Sequence, residues 1–121
     1  MAKKSILIVE DSESLVKSYE LLFGDFGIDV ASAGNLEDAL SIAEKKNFDF
    51  YITDGEYPPR KNECASLMAF KFYDEIKKIN PNARIILRCF DDLGEEAHSL
   101  GMDYINKCDK DGIKKLVELI G

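Results

Sequence analysis

No apolar run in this 121-residue chain approaches the roughly 20 residues that a helix needs to cross a bilayer. Met1-Ala2-Lys3-Lys4 leads straight into a strand-like run without the small-residue cleavage site of a signal peptide, so a cytoplasmic protein with no membrane partner is the simple reading. Positive charge is scarce: 16 Lys and Arg face 23 Asp and Glu, for a net charge of −7. That balance argues against DNA, RNA or an anionic membrane as a direct partner, because phosphate backbones are held by clustered basic residues. Cys64, Cys89 and Cys108 are odd in number and widely spaced, with no C-x-x-C pair, which favours free thiols over a disulfide framework or a zinc site. The single histidine, His98, has no cysteine or histidine at ligand spacing and reads as an exposed helical residue. Internal repeats and low-complexity tracts are also missing. What remains, at 45% hydrophobic content, is enough for one core, and a single domain over residues 1–121 is expected.

Strand-like and helix-like segments alternate from end to end, the signature of a parallel sheet with helices on both faces. The strands fall at Ser5 to Val9, Ile28 to Ser32, Phe48 to Thr53, Arg84 to Cys89 and Asp103 to Asn106, most of them nearly continuous apolar runs as buried parallel strands are. Helical periodicity joins Leu15, Val16, Tyr19, Leu22 and Phe23, then Leu36, Ala39, Leu40 and Ala43, then Phe70, Tyr73 and Ile76, and finally Ile113, Leu116, Val117 and Ile120. Asn35 and Asp111 read as N-caps, Gly24 or Gly27 as the end of the first helix, and Pro81 as a stop after the third. Asp91 to Leu100, holding Gly94, gives the weakest helical signal. Gly55 to Ala65, with Pro58-Pro59, reads as a long irregular loop, either solvated or a functional lid.

The informative pattern lies at the strand ends. The first run ends on Glu10-Asp11, the third on Asp54 and the fifth on Lys107. Right-handed crossovers and the doubly wound order 2-1-3-4-5 set the first and third strands side by side at the switch point, where ligands bind beyond the carboxyl ends. Three crowded carboxylates repel one another, so a divalent cation and a lysine are needed to neutralise them. Mg²⁺, which takes a few carboxylates, waters and a phosphate oxygen, suits the set. Asp54 ends a central buried strand and reads as the nucleophile toward phosphorus, with the metal and Lys107 neutralising charge.

In Ile6 to Ser12, Ala33 to Leu40, Asp49 to Asp54 with Pro58, and Gly101 to Lys107, the chain resembles the receiver domain of bacterial two-component response regulators, over essentially its whole length. The resemblance implies a flavodoxin-like (βα)5 fold and a phosphoacceptor signalling domain, with no enzymatic turnover beyond its own phosphoryl transfer and autodephosphorylation. It implies phosphorylation of Asp54 by a histidine kinase or phosphotransfer protein, Mg²⁺ on Glu10, Asp11, Asp54 and the carbonyl of Glu56, and Lys107 bridging to the phosphoryl group. Tyr104 corresponds to the family's aromatic switch, which acts on a downstream protein through the face of the fourth helix, fifth strand and fifth helix. Dimerisation through the fourth and fifth helices is open in this family.

Departures from the family are equally specific. No Ser or Thr ends the fourth strand, where the family couples phosphate to its loop; Cys89 or Arg88 stands there instead. A thiol is a weak donor, whereas an arginine could grip a phosphate oxygen, although arginine at a strand end more often extends to solvent. Cys108 replaces the proline that usually follows the lysine, which predicts a less constrained turn, and the loop after Asp54 is longer than the family's. Glu56 could orient an attacking water, or be a solvated loop acid. The leading expectation is therefore a receiver, standing alone or excised from a longer regulator. The alternative is a degenerate pseudo-receiver, a phosphate-independent interaction module. A flavin carrier is opposed by Glu10-Asp11, and a dehalogenase-like phosphatase by the position of Asp54 after the third strand.

Overall fold

The computed structural model describes residues 3–121. Its elements run β1 (Ser5–Val9), α1 (Glu13–Asp25), β2 (Asp29–Ala33), α2 (Leu36–Lys45), β3 (Phe50–Thr53), β4 (Glu56–Tyr57), β5 (Ser66–Leu67), α3 (Ala69–Ile79), β6 (Ile85–Cys89), α4 (Gly94–Leu100), β7 (Asp103–Asn106) and α5 (Gly112–Ile120). Five strands form a parallel sheet in the order β2-β1-β3-β6-β7, the doubly wound arrangement expected from the alternating sequence. β1, β3 and β6 are buried along their whole length, as their unbroken apolar runs require.

Period-two alternation divides the core into two layers. Ile6, Ile8, Phe50, Ile52, Ile86 and Ile105 face α1 and α5, meeting Tyr19, Phe23, Leu116 and Ile120. Leu7, Val9, Tyr51, Leu87 and Cys89 face the other helices, meeting Leu36, Ala39, Phe72, Ile76 and Ala97. No helix among the described residues is long and apolar enough to cross a membrane.

Local chemistry fixes the helix ends. Ser12 and Asn35 accept from Leu15 N and Asp38 N, satisfying amides that the first turns of α1 and α2 leave free. After α1 the chain turns at Gly27 with φ +70°, a conformation in which a Cβ is strained. Of the two glycines expected to end this helix, Gly27 has the role, since Gly24 lies inside it.

Several expectations need correction. Asp111 sits at the start of α5 but makes no side-chain cap; Asp109 accepts from the Asp111 amide instead, at 2.9 Å. In α3 the buried aromatic is Phe72, with Ala69 and Ile76, while Phe70 and Tyr73 are only partly covered. Ile113 is 42% exposed, and Gly112 takes the inward position at the head of α5, where a Cβ would come within 3.2 Å of Ile105 Cγ2.

The stretch after Asp54 keeps the expected irregular middle over residues 58–65, but short strands flank it. Glu56–Tyr57 pairs antiparallel with Ser66–Leu67, and the hairpin is fastened to the domain at its base. Tyr57 is fully buried, its hydroxyl 2.9 Å from Thr53 Oγ1. The carbonyls of Pro58 and Pro59 accept from the amides of Leu36 and Glu37, both at 3.0 Å, occupying first-turn donors of α2. Only the tip, residues 60–67, is exposed throughout.

Candidate phosphoacceptor site

The site stands on the carboxyl ends of β1, β3 and β7. Asp54 N donates to Val9 O at 3.0 Å and Lys107 N donates to Cys89 O at 2.8 Å, so the ladder itself fixes where each side chain begins. Lys107 Nζ lies 2.6 Å from Glu10 Oε1 and 3.0 Å from Asp54 Oδ2. Both partners and the lysine are nearly enclosed, with side-chain exposures of 3% for Glu10, 5% for Lys107 and 15% for Asp54. Asp11 completes the set, since ligand atoms of Glu10, Asp11 and Asp54 lie within 4.8 Å of one another.

Backbone amides reach two further carboxylate oxygens. Gly55 N donates to Asp54 Oδ1 at 2.7 Å, and Ser12 N donates to Glu10 Oε2 at 3.2 Å. One ammonium does not balance three carboxylates. Burial pushes the Glu10 carboxyl from 4.5 up to about 6, opposed by its bond to Lys107 and reinforced by the Asp54 charge. For Lys107, burial works against the charged form, but its bonds to Glu10 and Asp54 outweigh this and raise its pKa above the usual lysine value. Such a donor set, hard oxygens with surplus negative charge, fits Mg²⁺. The fourth oxygen expected from the resemblance, the carbonyl of Glu56, belongs to β4, where the Glu56 side chain is exposed.

At the end of β6 the two sequence alternatives separate. Arg88 does not reach solvent: it is 8% exposed, lies on the α1 side of the sheet, and donates from Nη1 to Tyr19 Oη at 2.7 Å. Cys89 faces the opposite layer and abuts the chain after Asp54, where a Cβ on Gly55 would come within 3.2 Å of Cys89 Cβ and 3.5 Å of its Sγ. Its thiol donates to Asp91 O at 3.4 Å, and burial pushes the thiol pKa up. Tyr104 is half-buried on the outer side of β7, its hydroxyl donating to Asp91 O while Asn106 Nδ2 donates to that hydroxyl at 3.1 Å.

The turn carrying Lys107 is better fastened than the loss of a proline at position 108 predicts. Asn106 Oδ1 accepts from Cys108 N at 2.7 Å, an Asx turn, and Asn106 Nδ2 also donates to Phe90 O at 3.3 Å. Phe90 lies under the ammonium, with Lys107 Nζ 5.2 Å from its ring centroid. Sequence reading missed the buried Arg88–Tyr19 pair and the work done by Asn106. The first left a trace in the spacing, because Arg88 follows Ile86 by two residues on a strand and must share its face.

Comparison with known proteins agrees with this fold. The model of the response regulator receiver domain matches residues 6–118. No curated protein matches the chain. Among solved structures, the chemotaxis protein CheY4 of Vibrio cholerae is 20% identical with a TM-score of 0.79, covering 99% of this chain and 100% of that one. The response regulator TrrA of Thermotoga maritima, solved in complex with Mg²⁺ and BeF, is 23% identical with a TM-score of 0.77, covering 98% and 99%. A DNA-binding response regulator of the LuxR family from Staphylococcus aureus is 25% identical with a TM-score of 0.79, covering 97% and 95%. With its sheet order, its strand-end acids and its family match in accord, the chain belongs to the response regulator receiver domains, the signalling domains of two-component systems.

Proposed function

We propose that residues 1–121 form one cytoplasmic receiver unit in which Asp54 accepts a phosphoryl group from the phosphohistidine of a histidine kinase or phosphotransfer protein. The observation that carries this is the Lys107 ammonium held between Glu10 at 2.6 Å and Asp54 at 3.0 Å in a nearly closed pocket. An Asp54 carboxylate oxygen attacks phosphorus, a P–O bond forms as the P–N bond breaks, and the electron pair leaves on the imidazole nitrogen. Lys107 holds the carboxylate in place and faces the oxygens on which negative charge gathers. Mg²⁺, held by Glu10, Asp11, Asp54 and the carbonyl of Glu56, would neutralise charge on the phosphoryl oxygens. Glu56, exposed two residues beyond Asp54, would orient the water of a self-catalysed dephosphorylation.

Output runs through α4, β7 and α5. Tyr104 on β7 takes the aromatic switch role, and Phe90, Leu100 and Ile113, exposed at 65%, 38% and 42%, give a downstream protein or a second copy an apolar surface to grip. Either Arg88, next to Asp54 in the register, or Cys89, against Gly55, stands in for the family's Ser or Thr. Incubation with acetyl phosphate and Mg²⁺ followed by Phos-tag electrophoresis tests the reading. A retarded band in the wild type that is absent in Asp54→Asn is expected; no band, or one that survives that substitution, overturns it.

A further inference from the structure

Ile8, Ile52 and Ile86 lie in one core layer, and two residues beyond them stand Glu10, Asp54 and Arg88. Strand alternation places each on the face of its isoleucine. The register pairs Val9 with Thr53 and Thr53 with Leu87, so one residue further Glu10, Asp54 and Arg88 stand side by side across β1, β3 and β6. Neighbouring strands are about 4.8 Å apart. Arg88 therefore starts directly beside the proposed phosphoacceptor.

Its guanidinium is poorly provided for. Beyond the hydrogen bond to Tyr19 Oη it lies 5.6 Å from that ring's centroid, its buried Nε has no hydrogen-bond partner among the described residues, and no carboxylate there pairs with it. A buried cation without an anion is costly, and a phenol oxygen is a neutral acceptor, far weaker than a phosphoryl oxygen. Lys107 is already engaged by two carboxylates, and the Cys89 thiol is a weak donor turned to Asp91.

We propose that Arg88 is a ligand of the phosphoryl group on Asp54, held by Tyr19 before phosphorylation and given up to the phosphoryl oxygens afterwards. The proposal rests on Asp54 being the phosphoacceptor. It supplies the guanidinium with the anion it lacks, and it makes phosphorylation break a tie between the sheet and α1. The phosphate is thus read on the α1 side of β6 as well as on the α4 side.

Titration of beryllium fluoride, a phosphoryl mimic, in the presence of Mg²⁺ tests this, with binding followed by ¹⁹F NMR. Arg88→Met is expected to weaken beryllofluoride by about 10-fold or more, the loss of a charge-assisted bond, while its Mg²⁺ affinity without fluoride is not reduced. Tyr19→Phe, which removes the competing acceptor, is expected to bind beryllofluoride about 3-fold more tightly. Beryllofluoride affinity unchanged in Arg88→Met, or lost in step with Mg²⁺ affinity, overturns the proposal. Should Arg88→Met fail to fold, Tyr19→Phe decides: tighter binding supports the proposal, and unchanged or weaker binding overturns it. If the wild type binds no beryllofluoride, the Asp54 reading falls and takes the proposal with it. Wild-type binding with no response to either substitution removes Arg88 alone.

Discussion

The part of the site built on β1, β3 and the turn after β7 differs sharply from the part built on β6. In the first, Glu10 and Asp54 share Lys107, and amides of Ser12 and Gly55 fill further oxygens, leaving the Asp11 carboxylate for the metal. In the second, a buried guanidinium rests on a phenol with one nitrogen unpartnered among the described residues, and the neighbouring thiol is turned to a backbone carbonyl. The contrast separates two tasks. Holding a metal and accepting a phosphoryl group need fixed charges, whereas transmitting the event needs a group that is better satisfied after phosphorylation than before. On the proposed reading, the chain keeps the family's residues for the first task and departs from them in the second.

Breaking the first half should have the largest consequence. Lys107→Met removes the cation from two adjacent buried carboxylates, and the rate of phosphorylation by acetyl phosphate is expected to fall about 100-fold, the loss that follows removal of one preorganised charge partner. Phos-tag time courses measure it.

The same half should respond to pH in the metal-free protein. The Glu10 carboxyl titrates near 6 in the fold against 4.5 ordinarily, so its ionised form is disfavoured there. The folded state therefore takes up a proton before the unfolded state does. The resulting stabilisation is complete below 4.5 and is lost as pH rises through 6, an effect of about 2 kcal/mol for this group. Urea denaturation of wild type and Glu10→Gln across that window should show the wild-type dependence reduced in the variant. Mg²⁺ needs the carboxylate, so metal affinity should fall as pH drops below about 6.

Effects in the second half and its flanking hairpin should be smaller. Tyr57→Phe removes the hydroxyl bonded to Thr53 and should cost about 1 kcal/mol in urea denaturation. Cys89→Ser exchanges a weak donor for a good one against Gly55, the residue after Asp54. It should strengthen the coupling between beryllofluoride and the Tyr104 ring resonances by less than about 1 kcal/mol, read as a population shift by NMR. A larger gain from Cys89→Ser than loss from Lys107→Met would reverse the comparison.

The sheet order and the Glu10, Asp54, Lys107 cluster were legible in the sequence because strand-end placement follows from topology, and topology from alternating element types. The β4–β5 hairpin was not, since two-residue strands interrupted by Pro58-Pro59 carry no periodicity, and its attachment runs through proline carbonyls that any sequence would offer. Phe72 was missed for Phe70 because α3 buries alternative spacings equally well until the sheet beneath is known. For Arg88 the rarity of buried arginine favours solvent over a phosphate role, and its burial follows from a tertiary partner, Tyr19, that lies 69 positions away.

Borohydride trapping tests the central claim most directly. An acyl phosphate on aspartate is reduced to homoserine, and peptide mass spectrometry after treatment with acetyl phosphate and Mg²⁺ locates it. The expected result is homoserine at position 54 alone, lost when Mg²⁺ is chelated. Homoserine at another aspartate, or labelling of Asp54 that ignores the metal, would contradict a phosphoacceptor built on Glu10, Asp11, Asp54 and Lys107.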